Sequence, residues 1–328
     1  VELGRAEGRF LGWHPVLEAE RIRLAPPGAA PAIRVHSMRL ELDVIESLFR
    51  GHPVASTLIV EAARVDLARG PDGGWRLRQG RGGLAPDIEP IVSFLYHSDA
   101  VDLRRSRVDF HPPRPEEGEA EPNRITRLEL DGGLVNERGS HRGHLRVELG
   151  SAAGTRTPAT GEMHLAFAGN PLTRATRAGE VLVDLENASL ATLSGTLPAR
   201  PPLMHGVLDR LRLRARIDPV NGVDLSAMAS AARLDAGPID PVPLRNVRLD
   251  VEGFGLGPAQ GDLAFRELRA RVGDRSLTMD GARLGWHPDG SFRDWHLDLP
   301  GFDSEATVAL ALTLDVLGDR ANRWLASL

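Results

Sequence analysis

Arg210-Leu211-Arg212-Leu213-Arg214-Ala215-Arg216-Ile217 alternates guanidinium and apolar side chains without interruption. An α-helix would scatter these residues around its axis. A β-strand sends successive side chains to opposite faces, so one face collects Leu211, Leu213, Ala215 and Ile217 while the other carries a row of cations. The same period of two recurs upstream in Leu58 and Val60, in Val101 and Leu103, in Leu145, Val147 and Leu149, and in Val181, Val183 and Leu185. Downstream it returns in Val247, Leu249 and Val251, in Leu277 and Met279, and in Trp295, Leu297 and Leu299. Strand follows strand, and the chain is expected to be mainly β.

In three places the apolar parity slips by one residue. Ile33 and Val35 give way to Met38, Leu40 and Leu42; Leu58, Val60 and Ala62 to Val65 and Leu67; Val101 and Leu103 to Val108 and Phe110. Such a slip either starts a new strand or inserts a bulge that restores the facing and bends the sheet, which predicts a long curved antiparallel sheet. Turn signals at Pro71-Asp72-Gly73-Gly74, Asp131-Gly132-Gly133, Asn221-Gly222 and Pro288-Asp289-Gly290 punctuate it as a meander. A few short helices are expected: near 43–49, with Val44, Leu48 and Phe49 on one face; near 87–96, capped by Asp87; and over 315–328, where Val316, Leu317, Ala321, Trp324, Leu325 and Leu328 form a stripe. The segment 112–124, proline-rich and then acidic at Glu116, Glu117, Glu119 and Glu121, reads as a flexible loop. The chain thus divides into 1–111, the loop 112–124, a second β region 125–314 and the terminal helix. Leu11-Gly12-Trp13-His14-Pro15 recurs as Leu284-Gly285-Trp286-His287-Pro288, by repetition or by chance.

Composition narrows the chemistry. The 328 residues include 40 basic and 45 acidic side chains, for a net charge of -5, so there is no electrostatic reason to expect nucleic acid as a partner. The absence of cysteine excludes disulfides, zinc-thiolate clusters and thiol nucleophiles. Every basic residue is Arg, so the lysine of a Walker phosphate loop is missing too. Gly253-Phe254-Gly255-Leu256-Gly257 has the wrong spacing for a dinucleotide loop and reads as a turn. His141 and His144 sit three apart in a loop-like Arg-Gly-rich stretch, and strand spacing would put them on opposite faces without partners, so they read as surface histidines, and neither a metal nor a cofactor is expected. No Gly-x-Ser-x-Gly elbow occurs, and Asp and Glu fall mainly on polar strand faces, where solvated carboxylates are expected; a distant carboxylate pair would leave no sequence trace. The arginine row around Arg212 reads as a solvated face balanced by Asp250, Glu252 and Glu148 on neighbouring strands.

The opening Gly8-Arg9-Phe10-Leu11-Gly12-Trp13-His14-Pro15, followed by 17–24, resembles the early strands of the AsmA-like family in its YhdP branch. The stretches 33–42, 43–53 and 58–67 and the sequence Asp72-Gly73-Gly74-Trp75-Arg76-Leu77 resemble that branch's strand, short helix, strand and turn. The resemblance covers residues 1 to about 110; beyond 125 only the alternation continues. It implies a bridge-like lipid transport protein of the Gram-negative envelope: periplasmic, folded as an open apolar groove (β-taco-like), with phospholipid acyl chains and envelope proteins as partners and no catalytic residues. Val1 opens the chain in mid-pattern without an initiator Met, so it reads as a fragment, with an inner-membrane anchor expected upstream. In this reading the groove is lined by Val35, Leu40, Leu42, Val60, Val65, Leu67, Val101, Leu103, Val108, Leu128, Leu130, Leu145, Val147, Leu165, Val181, Val183, Leu211, Leu213, Leu249 and Val251. Alternation alone leaves a second reading open, a structural or assembly-regulating scaffold whose apolar faces pack on each other.

Overall fold

A computed structural model describes residues 2–24, 33–51, 54–69, 75–78, 98–111, 126–137, 139–151, 157–169, 178–194, 204–218, 222–236, 242–256, 261–286 and 292–296. The expected turns at 71–74 and 288–290, the helices at 87–96 and 315–328 and the loop 112–124 lie outside them. Strands take 85% of the described residues and only two short helices occur, so these residues offer no helical layer to cover a sheet face. The chain divides into two compact units, Val1–Arg177 and Ala178–Leu328.

The first unit holds β1 (Arg5–Leu11), β2 (His14–Leu24), β3 (Ile33–Asp43), α1 (Val44–Arg50), β4 (Val54–Glu61), β5 (Arg64–Arg69), β6 (Trp75–Leu77), β7 (Ala100–His111), β8 (Thr126–Glu137), β9 (Ser140–Ser151) and β10 (Ala159–Ala168). Antiparallel pairs run β1–β2–β3–β4, then β7–β8–β9–β10. The meander is broken at one joint: β7 lies parallel to both β4 and β5. A parallel pair needs a crossover instead of a tight turn, and the residues between Leu77 and Ala100 supply its length. The second unit holds β11 (Ala178–Ser189), α2 (Leu190–Ser194), β12 (Met204–Asp218), β13 (Gly222–Ala236), β14 (Val242–Leu256), β15 (Gly261–Val272), β16 (Arg275–Met279), β17 (Ala282–Trp286) and β18 (Phe292–His296). Its pairs are antiparallel throughout, with β15 shared between β16 and β17.

Two of the three slips of apolar parity, those from Val60 to Val65 and from Leu103 to Val108, coincide with a left-handed residue; β3, which holds the first, has none. Arg21, Ala62, Arg105, Asn187 and Asn246 carry φ of 54°, 50°, 49°, 57° and 52°; the buried residues change parity across Arg21, Arg105, Asn187 and Asn246, and the apolar ones change from Val60 to Val65 across Ala62. In β11, for example, Leu185 and Ala188 are both buried across Asn187; in β14, Leu244 and Val247 are both buried across Asn246. One left-handed residue turns the strand so that the apolar side remains on one face, at a cost near 1–2 kcal/mol that Asn tolerates best. At Arg105 the register with β8 also shifts, between Leu103 and Ser106.

Two expected turns are strand instead, and the echoed pentapeptide is not a repeat. Asp131-Gly132-Gly133 lies inside β8, where Gly132 at φ 146° lets the backbones approach: a Cβ there would sit 2.2 Å from the His144 carbonyl oxygen. Residues 253–256 of the glycine-rich stretch are the end of β14, not a turn, and the Gly255 N–H donates to Asp224 Oδ1 at 3.1 Å. The echoed pentapeptide takes two conformations: in Leu11–Pro15 it makes the β1–β2 hairpin with Gly12 at φ 61°, whereas Leu284–Trp286 is strand β17. It is therefore no structural repeat over the residues described. Helix α1 forms one residue later than expected, with Asp43 accepting from the Glu46 N–H at 2.8 Å and left-handed Gly51 donating to the Ser47 carbonyl at 3.0 Å. Its Ile45, Leu48 and Phe49 stay exposed, as do Phe10 and Trp13 at the β1–β2 turn.

Candidate functional site

Register arranges the apolar residues of the second unit into rows that cross strand after strand. Val183 stands opposite Leu213, Leu213 opposite Ala227, Ala227 opposite Val251 and Val251 opposite Phe265. A second row runs Leu185, Leu211, Ala229, Leu249, Leu268 and Met279; a third includes Val181, Ala215 and Leu225. Phe265 and Leu268 have opposite parity, and the register shift between Asp250 and Val251 lets both join the rows. Leu185, Leu211 and Val251 are buried, but Val181, Val183, Leu213, Ala227 and Leu249 are only half-buried.

The reverse face is charged. Arg210 donates from Nε and Nη2 to the two Asp184 oxygens at 2.9 and 2.7 Å, and Arg212 Nε donates to Asp184 Oδ2 at 2.9 Å. The Arg210 hydrogen bonds, with help from Arg212, hold the Asp184 carboxyl below its ordinary pKa. Arg214 pairs with Glu180. The row is thus exposed and balanced, but its partners are on β11, not Asp250, Glu252 or Glu148: Asp250 faces Met228, Glu252 takes Arg266 at 2.7 Å, and Glu148 belongs to the first unit. A concavity of about 540 Å³ opens near Asn246, among Arg248, Arg269, Arg271, Ser230 and Ser276. Another, of about 640 Å³, lies among Glu252, Phe254, Asp262, Arg266 and Arg283, with Leu263 and Phe265 also at its edge.

In the first unit Leu40, Val60 and Val101 lie in one buried cluster with Ala55 and Leu58, and Val35, Leu42 and Leu103 pack against it. Val65 and Leu67 pack on Ile33 and Leu77. Val108, Leu128 and Leu149 share one row; Leu130 and Val147 another; Leu145 stands opposite Gly132 and Met163; Leu165 stands opposite Gly143. Leu58 and Val101 are 1% and 2% exposed, a packed interior and not an open surface. The predicted lining residues thus fall into two packed clusters and several register rows here, and into rows of buried and half-buried residues in the second unit.

On the other side of β5, β7 and β8 a polar network is buried, contrary to the expectation of solvated carboxylates. Asp109, 1% exposed, lies 2.9 Å from Arg64 Nη2, 3.1 Å from Arg127 Nε and 3.5 Å from Arg107 Nε. Asp66, its register neighbour on the parallel strand, contacts Arg64 at 3.3 Å and His111 at 3.2 Å. Arg78 lies 2.6 Å from His111 Nδ1, which makes Nδ1 the acceptor and Nε2–H the donor to Asp66. Two carboxylates do converge from distant strands, but arginines surround them. Glu61 on β4 accepts from Ser37 Oγ at 2.9 Å and pairs with Arg105; the serine first and the arginine second hold its pKa down.

The two histidines separate as strand geometry requires, yet both have partners. His141 is a buried core residue, its ring nitrogens 2.8 Å from Asn136 Oδ1 and 3.1 Å from the Gly169 carbonyl. His144 is exposed beside His164 and Glu162 of β10. A spacing along one strand could not reveal partners that arrive by register from the next.

No protein-family model, curated protein or solved structure matches this chain. What the geometry defines is a class only: a β protein with register-aligned apolar rows on one face and ion pairs on the other.

Proposed function

We propose that this chain is a non-catalytic segment of a periplasmic bridge that carries phospholipid between the inner and outer membranes, its acyl chains lying in a groove formed by the apolar sheet faces. The observation that carries the reading is the alignment of Val183, Leu213, Ala227, Val251 and Phe265 in one uninterrupted row whose members are mostly half-buried. Burying one methylene is worth about 0.8 kcal/mol, so a sixteen-carbon tail drawn into water costs about 12 kcal/mol. A row that continues from strand to strand keeps the tail covered at each step, and the charged reverse face keeps the sheet wetted on its other side. The resemblance of the first 110 residues to AsmA-like proteins supports the same reading, in which the segment works in the periplasm.

The packed cluster around Leu58 and Val101 favours a second reading for the first unit, a scaffold closed on its own apolar residues. Native mass spectrometry after mild extraction separates them. Co-purifying phospholipid, lost in Leu213→Asp, supports conduction; a lipid-free and fully stable monomer supports the scaffold.

A further inference from the structure

His144 on β9 and His164 on β10 are direct register partners. Their imidazole rings stack with centroids 4.5 Å apart and planes 18° from parallel. Glu162, two residues before His164, projects to the same face of β10. Its Oε2 lies 3.5 Å from His144 Nε2 and 3.6 Å from His164 Nε2. One ligand atom from each residue falls within 4.8 Å of the others, and all three side chains are exposed.

Ligands about 2.0–2.2 Å from a tetrahedral zinc ion stand roughly 3.3–3.5 Å from one another. Both histidine-to-carboxylate spacings are already close to that, and rotation of exposed side chains closes the rest. We infer that His144, Glu162 and His164 form a surface site for a divalent cation of the Zn²⁺ class, held by two imidazoles and one carboxylate with water completing the shell. Two nitrogen donors select Zn²⁺, Cu²⁺ or Ni²⁺ over the oxygen-seeking Ca²⁺ and Mg²⁺. The ladder from Ala159↔Leu149 to Ala168↔Ser140 fixes the two strands on both sides of the site, so the donors are held by backbone and not by a loop. Arg142 and Arg146 flank His144 on the exposed face and oppose a cation; Asp131, opposite Arg146 on β8, offsets part of that field. The bound ion would tie β9 to β10.

The test is calorimetric titration of the full chain with zinc chloride in a non-chelating buffer. The expected result is saturable binding of one Zn²⁺ per chain that millimolar Mg²⁺ or Ca²⁺ does not displace. His144→Ala and His164→Ala should each weaken it by about tenfold or more, and His205→Ala, at an exposed histidine of the second unit, should leave it unchanged. Far-UV circular dichroism of each variant confirms that the sheet persists. Absence of stoichiometric binding, or binding that survives the His144→Ala/His164→Ala double substitution in a folded chain, overturns the site.

Discussion

Asp109→Asn is the most demanding perturbation of the first unit, because it removes one charge and almost no volume. The carboxylate is 1% exposed and faces Arg64, Arg107 and Arg127, whose side chains are 34%, 30% and 31% exposed. Deleting one member of a fully buried ion pair costs about 3–5 kcal/mol, chiefly through the uncompensated charge left behind. Here water reaches the arginines, and Asp66 at 3.3 Å still answers Arg64, so the expected loss is about 2–3 kcal/mol. In a unit of this size that corresponds to a fall in Tm of about 4–12 °C. Urea unfolding followed by far-UV circular dichroism measures it through the shift in midpoint at unchanged slope. A variant within about 0.5 kcal/mol of the parent, the scale of an ordinary surface substitution, would refute the claim that this network joins β5, β7 and β8.

Gly132→Ala should destabilise the β8–β9 pair by about 1–3 kcal/mol, since Gly132 combines φ 146° with a Cβ position against the His144 carbonyl, whereas Gly139→Ala, at φ 84° with open space, should cost about 1 kcal/mol in the same thermal melt. Asp184 has a lowered pKa when folded, so its contribution is present above the unfolded carboxylate value and is lost as pH falls through the lowered folded one; Asp184→Asn should flatten that acid limb of the stability profile, by under about 1 kcal/mol because the pair is exposed. Val101→Asp, at a site 2% exposed, should unfold the first unit, while Leu213→Asp, half-buried, should keep its circular dichroism and lose bound phospholipid. For the same reason Val60→Asp, inside the packed cluster, is a stability variant and not a clean transport variant.

Local sequence carried the strands well and their neighbours poorly. Alternation in Leu211, Leu213 and Ala215 predicts β12, and the slips near Ala62 and Arg105 mark the left-handed residues that the backbone uses to keep one face apolar. Glycine misled in both Gly132 and Gly255, because the permissive backbone that makes a turn also allows a close approach or a bulge within a strand. The parallel seating of β7, the burial of Asp109 and the meeting of His144 with Glu162 and His164 all arise from register between distant segments, which period-two patterning does not encode. The apolar rows share that origin: the period gave each rung's members, and pairing brought them into line.

A photo-crosslinking amino acid placed in turn at 211, 212, 213, 214, 249 and 250 in cells reports which sheet face meets lipid. Lipid adducts at 211, 213 and 249, with none at 212, 214 and 250, are the predicted pattern, because register puts these sets on opposite faces. Adducts on neither set, or equally on both, would contradict an apolar sheet face that holds acyl chains.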